Sequence, residues 1–167
     1  AACRFYVQQK GDTVAGRKIE LILKDDTGLA PETTKRIAQE MVVQDKVTFL
    51  AGFGLTPLAF AAAPVATEAK VPMVVMAAGT QVIPQRSPFI VRTGFTLPQT
   101  TAPIAGWAYR NGIKRVFTLV TDYAPGLDSE KTFLARFKAA GGEIVESVRT
   151  PLRNPDYAPF LQRAKDS

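Results

Sequence analysis

Short apolar runs alternate with longer amphipathic or alanine-rich segments along nearly the whole 167-residue chain, and that alternation restricts the fold more than any single motif. KIELILK (Lys18–Lys24) alternates, is rich in Ile and Leu, starts after the turn Ala15-Gly16 and ends at Asp25-Asp26-Thr27-Gly28, so it reads as a strand. Pro31 then stands at a helix start with Glu32 in the first turn, and Ile37, Met41 and Val42 follow at helical spacing to about Asp45. VTFLA (Val47–Ala51) is a short strand closed by Gly52-Phe53-Gly54, and Pro57–Ala69 is a helix with small residues on its packing face. Pro72–Met76 is wholly apolar, as expected of a parallel strand covered on both sides, and Phe89–Arg92 is a shorter strand.

The second half repeats the pattern. A helix is expected over Gln99–Arg110, a strand over Arg115–Thr121, a helix over Asp128–Ala140, a turn at Gly141-Gly142, a strand over Glu143–Val148 and a last helix near Pro155–Ala164. Strand and helix in strict succession predict an α/β fold with parallel sheets.

Charge and residue usage exclude several functions. The net charge of +6 comes from single or paired cations, such as Lys35-Arg36 and Lys114-Arg115, and not from the basic stripe that nucleic-acid binding needs. The apolar runs are far shorter than the ~20 residues of a membrane-spanning helix. The chain has no His, which removes the commonest general base and most zinc sites, and its lone Cys3 has no imidazole to activate it. Cys3 reads as a small residue on a helix face.

Ligands of open α/β sheets sit beyond the carboxyl ends of the strands, so the candidate sites are the residues just after each strand. Asp25-Asp26 would suit a divalent metal as in a phospho-acceptor receiver, but the third carboxylate is missing where the next strand ends Leu50-Ala51-Gly52; Asp26 is expected to cap a turn instead. Gly52-Phe53-Gly54 starts like a dinucleotide fingerprint, but Pro57 replaces its third glycine. The loop is instead expected to turn tightly and leave the next helix N-terminus open, where unpaired N–H groups favour a carboxylate and Thr56 caps or donates. Ala78-Gly79-Thr80 offers the same chemistry: small side chains, a backbone within reach and a hydroxyl. That both are ordinary tight loops remains an open alternative at this level. Asp122-Tyr123-Ala124-Pro125-Gly126 follows a strand in the later half.

GRKIELILKDD (Gly16–Asp26), AQEMVVQDKVTFLAGFG (Ala38–Gly54), AAAPVATEAKVPMV (Ala61–Val74), Ala78-Gly79-Thr80 and PFIVRT (Pro88–Thr93) together resemble type I periplasmic solute-binding proteins, in the branched-chain amino-acid (Leu/Ile/Val) branch of ABC importers. VFTLVTDYAPG (Val116–Gly126) and FKAAGGEIVESVRTPLRNPDYAPFLQRAK (Phe137–Lys165) resemble that family's second lobe. The resemblance covers the chain in order, though no one motif is diagnostic. It implies two Rossmann-like lobes with parallel sheets, each incomplete here: residues 1–96 in part of lobe one and residues 97–167 in part of lobe two, with the crossing around Thr96–Pro103. It also implies that the chain is an internal fragment of a protein about twice as long.

By the same resemblance the lobes close like a hinged trap on a small carboxylate-bearing ligand and present it to a membrane permease. Leu55, Thr56, Ala78, Gly79 and Thr80 would hold the ligand from lobe one, and Tyr123 would face them from lobe two. Catalytic residues, cofactor and metal are not expected, nor is membrane insertion; the location would be periplasmic, with any signal peptide outside this chain. Leu55-Thr56 stands where relatives often have two serines, and Pro125 where many amino-acid binders place an aromatic ring. Aromatic or aliphatic acids therefore stand beside amino acids as expected ligands. A ligand-sensing regulatory domain of the same fold is the second reading; an enzyme, lacking any nucleophile–base pair, is the third.

Overall fold

Of the expected Lys18–Lys24 strand, only the first residue joins a ladder in the computed structural model, which describes residues 2–153 and 156–167. Helix α1 (Ala2–Lys10) carries the exposed Cys3. Strands β1 (Thr13–Val14) and β2 (Arg17–Lys18) then close an antiparallel hairpin around Ala15-Gly16, both with positive φ. Residues 19–27 continue without ladder partners. They are tied down by the Ile19 N–H on the Asp12 carbonyl (2.6 Å) and by the Lys24 ammonium against Asp45 (2.7 Å) and Glu40 (3.4 Å). Those two carboxylates, Asp45 first, hold the Lys24 ammonium above its ordinary pKa. Alternation fixes which face of a strand is apolar, but a ladder also needs a second strand about 4.8 Å away. Among the described residues none lies beside this segment.

The first parallel sheet has the order β3 (Leu50–Gly52), β4 (Met73–Val75), β5 (Ile90–Arg92), in register Leu50–Met73–Ile90. Helix α2 (Pro31–Val43) leads into β3, α3 (Thr56–Ala69) connects β3 to β4, and the two helices pack on each other. The alanines of α3 are the packing face the sequence implied: Ala59, Ala62, Ala63 and Ala66 are buried in one cluster with Leu50, Met73, Val75 and Ile90. Short side chains let the helix backbone approach the sheet closely, and each large apolar side chain buried there stabilises the unit by about 1.5–3 kcal/mol. A 3₁₀ turn (Ile83–Arg86) leads from β4 towards β5, with Ile83 wholly buried.

A capping box starts α4 (Leu97–Arg110): the Thr96 hydroxyl accepts from the Gln99 N–H, and the Gln99 side chain accepts from the Thr96 N–H. The second sheet pairs β6 (Arg115–Thr121) with β7 (Glu143–Thr150) in parallel; Val145 has no opposite number, because Val116 pairs Ile144 and Phe117 pairs Glu146. Helix α5 (Ala124–Ala139) joins them and packs on α4 through buried Phe137, stacked on Phe133 (5.4 Å) and met edge-on by Tyr109 (6.2 Å). A side chain at Gly142 would start 2.2 Å from the Phe137 ring, so this turn needs glycine.

Several boundaries differ from those expected: β3 starts at Leu50 and not at Val47, and α4 at Leu97 and not at Gln99. Helix α5 begins four residues before Asp128, since Pro125 lies in its first turn, where a proline loses no hydrogen bond. Strand β7 runs on to Thr150. The last helix, α6, spans Ala158–Asp166, and Pro155, offered as its start, lies outside the described residues.

Candidate functional site

β3 ends in two successive positive φ angles, +127° at Gly52 and +65° at Phe53. Glycine tolerates this freely, whereas a left-handed Phe costs about 1–2 kcal/mol, a strain of the kind found at binding loops. The strained turn places two carbonyls against the β4 strand end: the Met76 N–H donates to Gly52 (2.8 Å) and the Ala78 N–H to Phe53 (3.0 Å). The two ligand loops proposed from sequence are thus fastened together.

Helix α3 opens at this junction. Its N-cap is Leu55, in extended backbone (φ −121°, ψ 146°), so Thr56 is the first helical residue; of the two roles expected for it, capping or donating, it does not take the first. No side chain caps the helix, Pro57 has no N–H, and the Leu58 and Ala59 N–H groups both turn back to the Leu55 carbonyl (3.2 Å). The Thr56 N–H meets no acceptor among the described residues. Its hydroxyl instead lies 2.8 Å from that of Thr80, both residues being about 1% exposed. Two hydroxyls hold two protons; one closes the bond between them, and the other is available to an acceptor.

In the Ala78–Thr80 loop the Gly79 and Thr80 carbonyls are occupied and their N–H groups are free. The Thr80 carbonyl accepts from the Arg92 guanidinium (2.6 Å) and from the Ile83 N–H (3.3 Å), and the Gly79 carbonyl accepts from the Leu97 N–H (3.0 Å). The Gly79 and Thr80 N–H groups, in residues that are both buried, meet no acceptor among the described residues. Buried main-chain N–H groups in native proteins are nearly always paired, so a donor-only site of this kind suits an anion's oxygens. The cation of Arg92 and the positive end of α3 act in the same direction.

The small residues have a second reason. A Cβ on Gly79 would lie 2.2 Å from Leu97 Cδ2, so the first residue of α4 fills the space that the glycine leaves on that side. Ala78 is buried in the first core cluster, and its N–H is already taken. The loop's free chemistry is therefore confined to Gly79 and Thr80.

On the other sheet Tyr123 is the half-buried N-cap of α5, with extended backbone and its N–H on the Thr121 carbonyl (2.9 Å). Asp128 in the same helix accepts the Gln81 N–H at 2.8 Å. That bond brings the start of α5 against the Ala78–Thr80 loop, with Tyr123 ~7.5 Å from Asp128 along the helix axis. A side chain at Gly126 would start 1.9 Å from the Thr121 carbonyl oxygen, so α5 seats closely on the end of β6.

Behind this face Glu130 is buried, with Arg149 donating to it (2.6 and 3.0 Å) and Ser147 donating at 2.6 Å, Ser147 in turn accepting from Thr118 (2.7 Å). The Arg149 guanidinium, and then the Ser147 hydroxyl, hold the Glu130 carboxyl below its ordinary pKa. No spacing in the sequence marked this cluster; the signal it carries is a Glu in the middle of a helix and a Ser–Arg pair on a strand.

The acidic pair is structural. Asp25, not Asp26 as expected, closes the turn by accepting the Thr27 N–H (2.9 Å), while Asp26 accepts from the Thr34 hydroxyl of α2 (3.0 Å). Among the described residues no three acidic, His or Cys side chains group as metal ligands, and no helix is long and apolar enough to cross a membrane.

Parallel strands that end in unpaired main-chain donors define an α/β protein of the kind that holds small molecules at the carboxyl ends of its strands. Residues 1–167 match the family model described as periplasmic binding protein, and the chain belongs to that family, whose members are solute-binding proteins. It is 45% identical over 162 residues to Leu/Ile/Val-binding protein homolog 6 of Brucella abortus, a match covering 97% of this chain and 42% of that one. The crystal structure of a solute-binding protein of an ABC transporter from Rhodopseudomonas palustris BisB5, in complex with 3,4-dihydroxybenzoic acid, is 61% identical with a TM-score of 0.93, over 99% of this chain and 45% of that one. A second R. palustris solute-binding protein, in complex with 4-hydroxybenzoate, is 45% identical with a TM-score of 0.93, over 96% and 44%. The chain thus spans less than half the length of these relatives.

Proposed function

We propose that this chain is part of an extracytoplasmic solute receptor of an ABC importer, which takes a small carboxylate by closing two lobes and delivers it to a membrane permease. The observation that carries this reading is the donor-only site: the free N–H groups of Thr56, Gly79 and Thr80, together with the one spare hydroxyl proton of the Thr56–Thr80 pair. In this reading residues 1–96 belong to lobe one and residues 97–167 to lobe two, and the ligand carboxylate lies across Gly79-Thr80 and the start of α3. Leu55 forms an apolar wall beside it, Ala78 fixes the loop through Phe53, and Tyr123 closes on the ligand from lobe two.

The ligand class we favour is an aromatic hydroxy-acid of the benzoate type. Support comes from the Rhodopseudomonas relatives that hold dihydroxy- and hydroxybenzoate, and from Leu55 replacing a hydroxyl by an apolar surface on which a ring can lie. A branched-chain amino acid is the second reading, favoured by the 45% identity to the Brucella protein.

A thermal-shift panel on the whole receptor tests both. With 3,4-dihydroxybenzoate, 4-hydroxybenzoate, benzoate and leucine in turn, a true ligand at 100 times its Kd adds about 2.7 kcal/mol of stability. A shift with the aromatic acids alone supports the first class and a shift with leucine alone the second. If no carboxylate shifts the melting point, the receptor reading fails.

A further inference from the structure

Two hydrogen bonds among the described residues join segments far apart in sequence across the space between the sheets. The Asp128 carboxylate of α5 accepts the Gln81 N–H at 2.8 Å, and the Arg153 guanidinium, three residues beyond β7, donates to the Leu29 carbonyl at 2.8 Å. We propose that Asp128 and Arg153 are the closure latches of the receptor, positioning residues that hold the second lobe against the main chain of the first in the closed state only. The proposal rests on the solute-receptor reading above.

Arg153 follows the carboxyl end of β7 by three residues, and Asp128 lies in the second turn of the helix that leaves the carboxyl end of β6, the edge at which a ligand enters such a sheet. Each is charged, and each contacts a main-chain group of the opposite polarity, an anion on an N–H and a cation on a C=O. Neither bond involves the side chain of Gln81 or Leu29. Their chemistry therefore survives substitution at 29 and 81 and depends on 128 and 153.

The first latch also joins two stiff parts. Gln81 follows Thr80, whose carbonyl is held by Arg92 and Ile83 and whose hydroxyl is held by Thr56. Asp128 stands on a helix seated so closely on β6 that Gly126 admits no side chain. With both ends rigid, a small shift of the Gly79–Thr80 loop on ligand binding acts directly on the Asp128 bond. The second latch lies on a separate loop, between the unpaired segment and α2, so the two resist different rotations of the lobes.

A latch made only in the closed state slows ligand escape without changing encounter. In the whole receptor, with 4-hydroxybenzoate followed by stopped flow, Asp128→Ala and Arg153→Ala are each expected to raise the dissociation rate about fivefold while the association rate stays within about twofold. Gln81→Ala and Leu29→Ala leave both rates unchanged. The melting temperatures of the unliganded variants stay at the wild-type value, which separates a latch from a folding defect. Spin labels at Lys35→Cys and Lys131→Cys in a Cys3→Ser background report closure directly, as a loss of the short-distance population in both latch variants.

If wild type binds and both latch variants dissociate at its rate, the latch is overturned and the receptor reading stands. If wild type binds none of the carboxylates, the receptor reading falls. The distance distributions then decide the latch: a shift to longer distances in the variants upholds it, and unchanged distributions overturn it.

Discussion

The buried hydroxyl pair gives the most exacting test of the site's geometry. Thr56 Oγ1 and Thr80 Oγ1 are 2.8 Å apart, each about 1% exposed, so neither has water as an alternative partner. Thr56→Val removes one hydroxyl and leaves the other buried with a lone donor or acceptor, at a cost of about 1–3 kcal/mol; Thr80→Val does the same from the other side. The double variant replaces the pair with two methyl groups of matching shape and strands nothing, so it should cost no more than about 1 kcal/mol. Taking ~2 kcal/mol for each single change, the double-mutant cycle should show ~3 kcal/mol of coupling, where independent sites agree with additivity within about 0.5 kcal/mol. Equilibrium urea unfolding of the unliganded receptor, followed by circular dichroism, measures all three variants. If the double variant loses the sum of the singles, the two hydroxyls do not form one bond, and the single spare proton assigned to the ligand loses its basis.

Two further outcomes test the frame around the site. Glu130→Gln should destabilise the protein by about 1.5 kcal/mol at pH 7, because it weakens charge-assisted bonds to Arg149 and Ser147. The Glu130 carboxyl has its pKa lowered by folding, so it contributes fully above its ordinary 4.5 and loses that contribution as pH falls through the lower folded value. The wild-type and variant melting curves should therefore converge as pH falls below that ordinary value and through the lower folded one; a gap constant with pH would refute the ion pair. Lys70 caps α3 in the left-handed region (φ 55°, ψ 36°) with its side chain exposed, so Lys70→Gly should add about 0.5 kcal/mol of stability by thermal melting, and a loss would contradict that backbone assignment.

The sequence alone determined most of the element order, because apolar periodicity and Gly/Pro punctuation are local properties of the chain. It separated parallel strands from their helices, marked the alanine face of α3 and directed attention to the residues after β3 and β4. The family was also legible, from an ordered set of segments of which none is decisive singly.

Pairing was decided in three dimensions. KIELILK has strand periodicity, but with no second strand beside it among the described residues most of it forms no ladder. Proline start signals compete with later acidic ones, so α5 begins at Ala124 and not at Asp128. The site was half readable in the same way. Thr56 and Ala78–Thr80 were legible as small or hydroxylated residues after strand ends, and Leu55 only through the family resemblance. That Thr56 bonds Thr80, that Leu97 and not a ligand fills the space beside Gly79, and that Arg92 occupies the Thr80 carbonyl are contacts between residues 12 to 24 positions apart. A donor-only site is a property of which partners are already taken, and only the tertiary structure decides that.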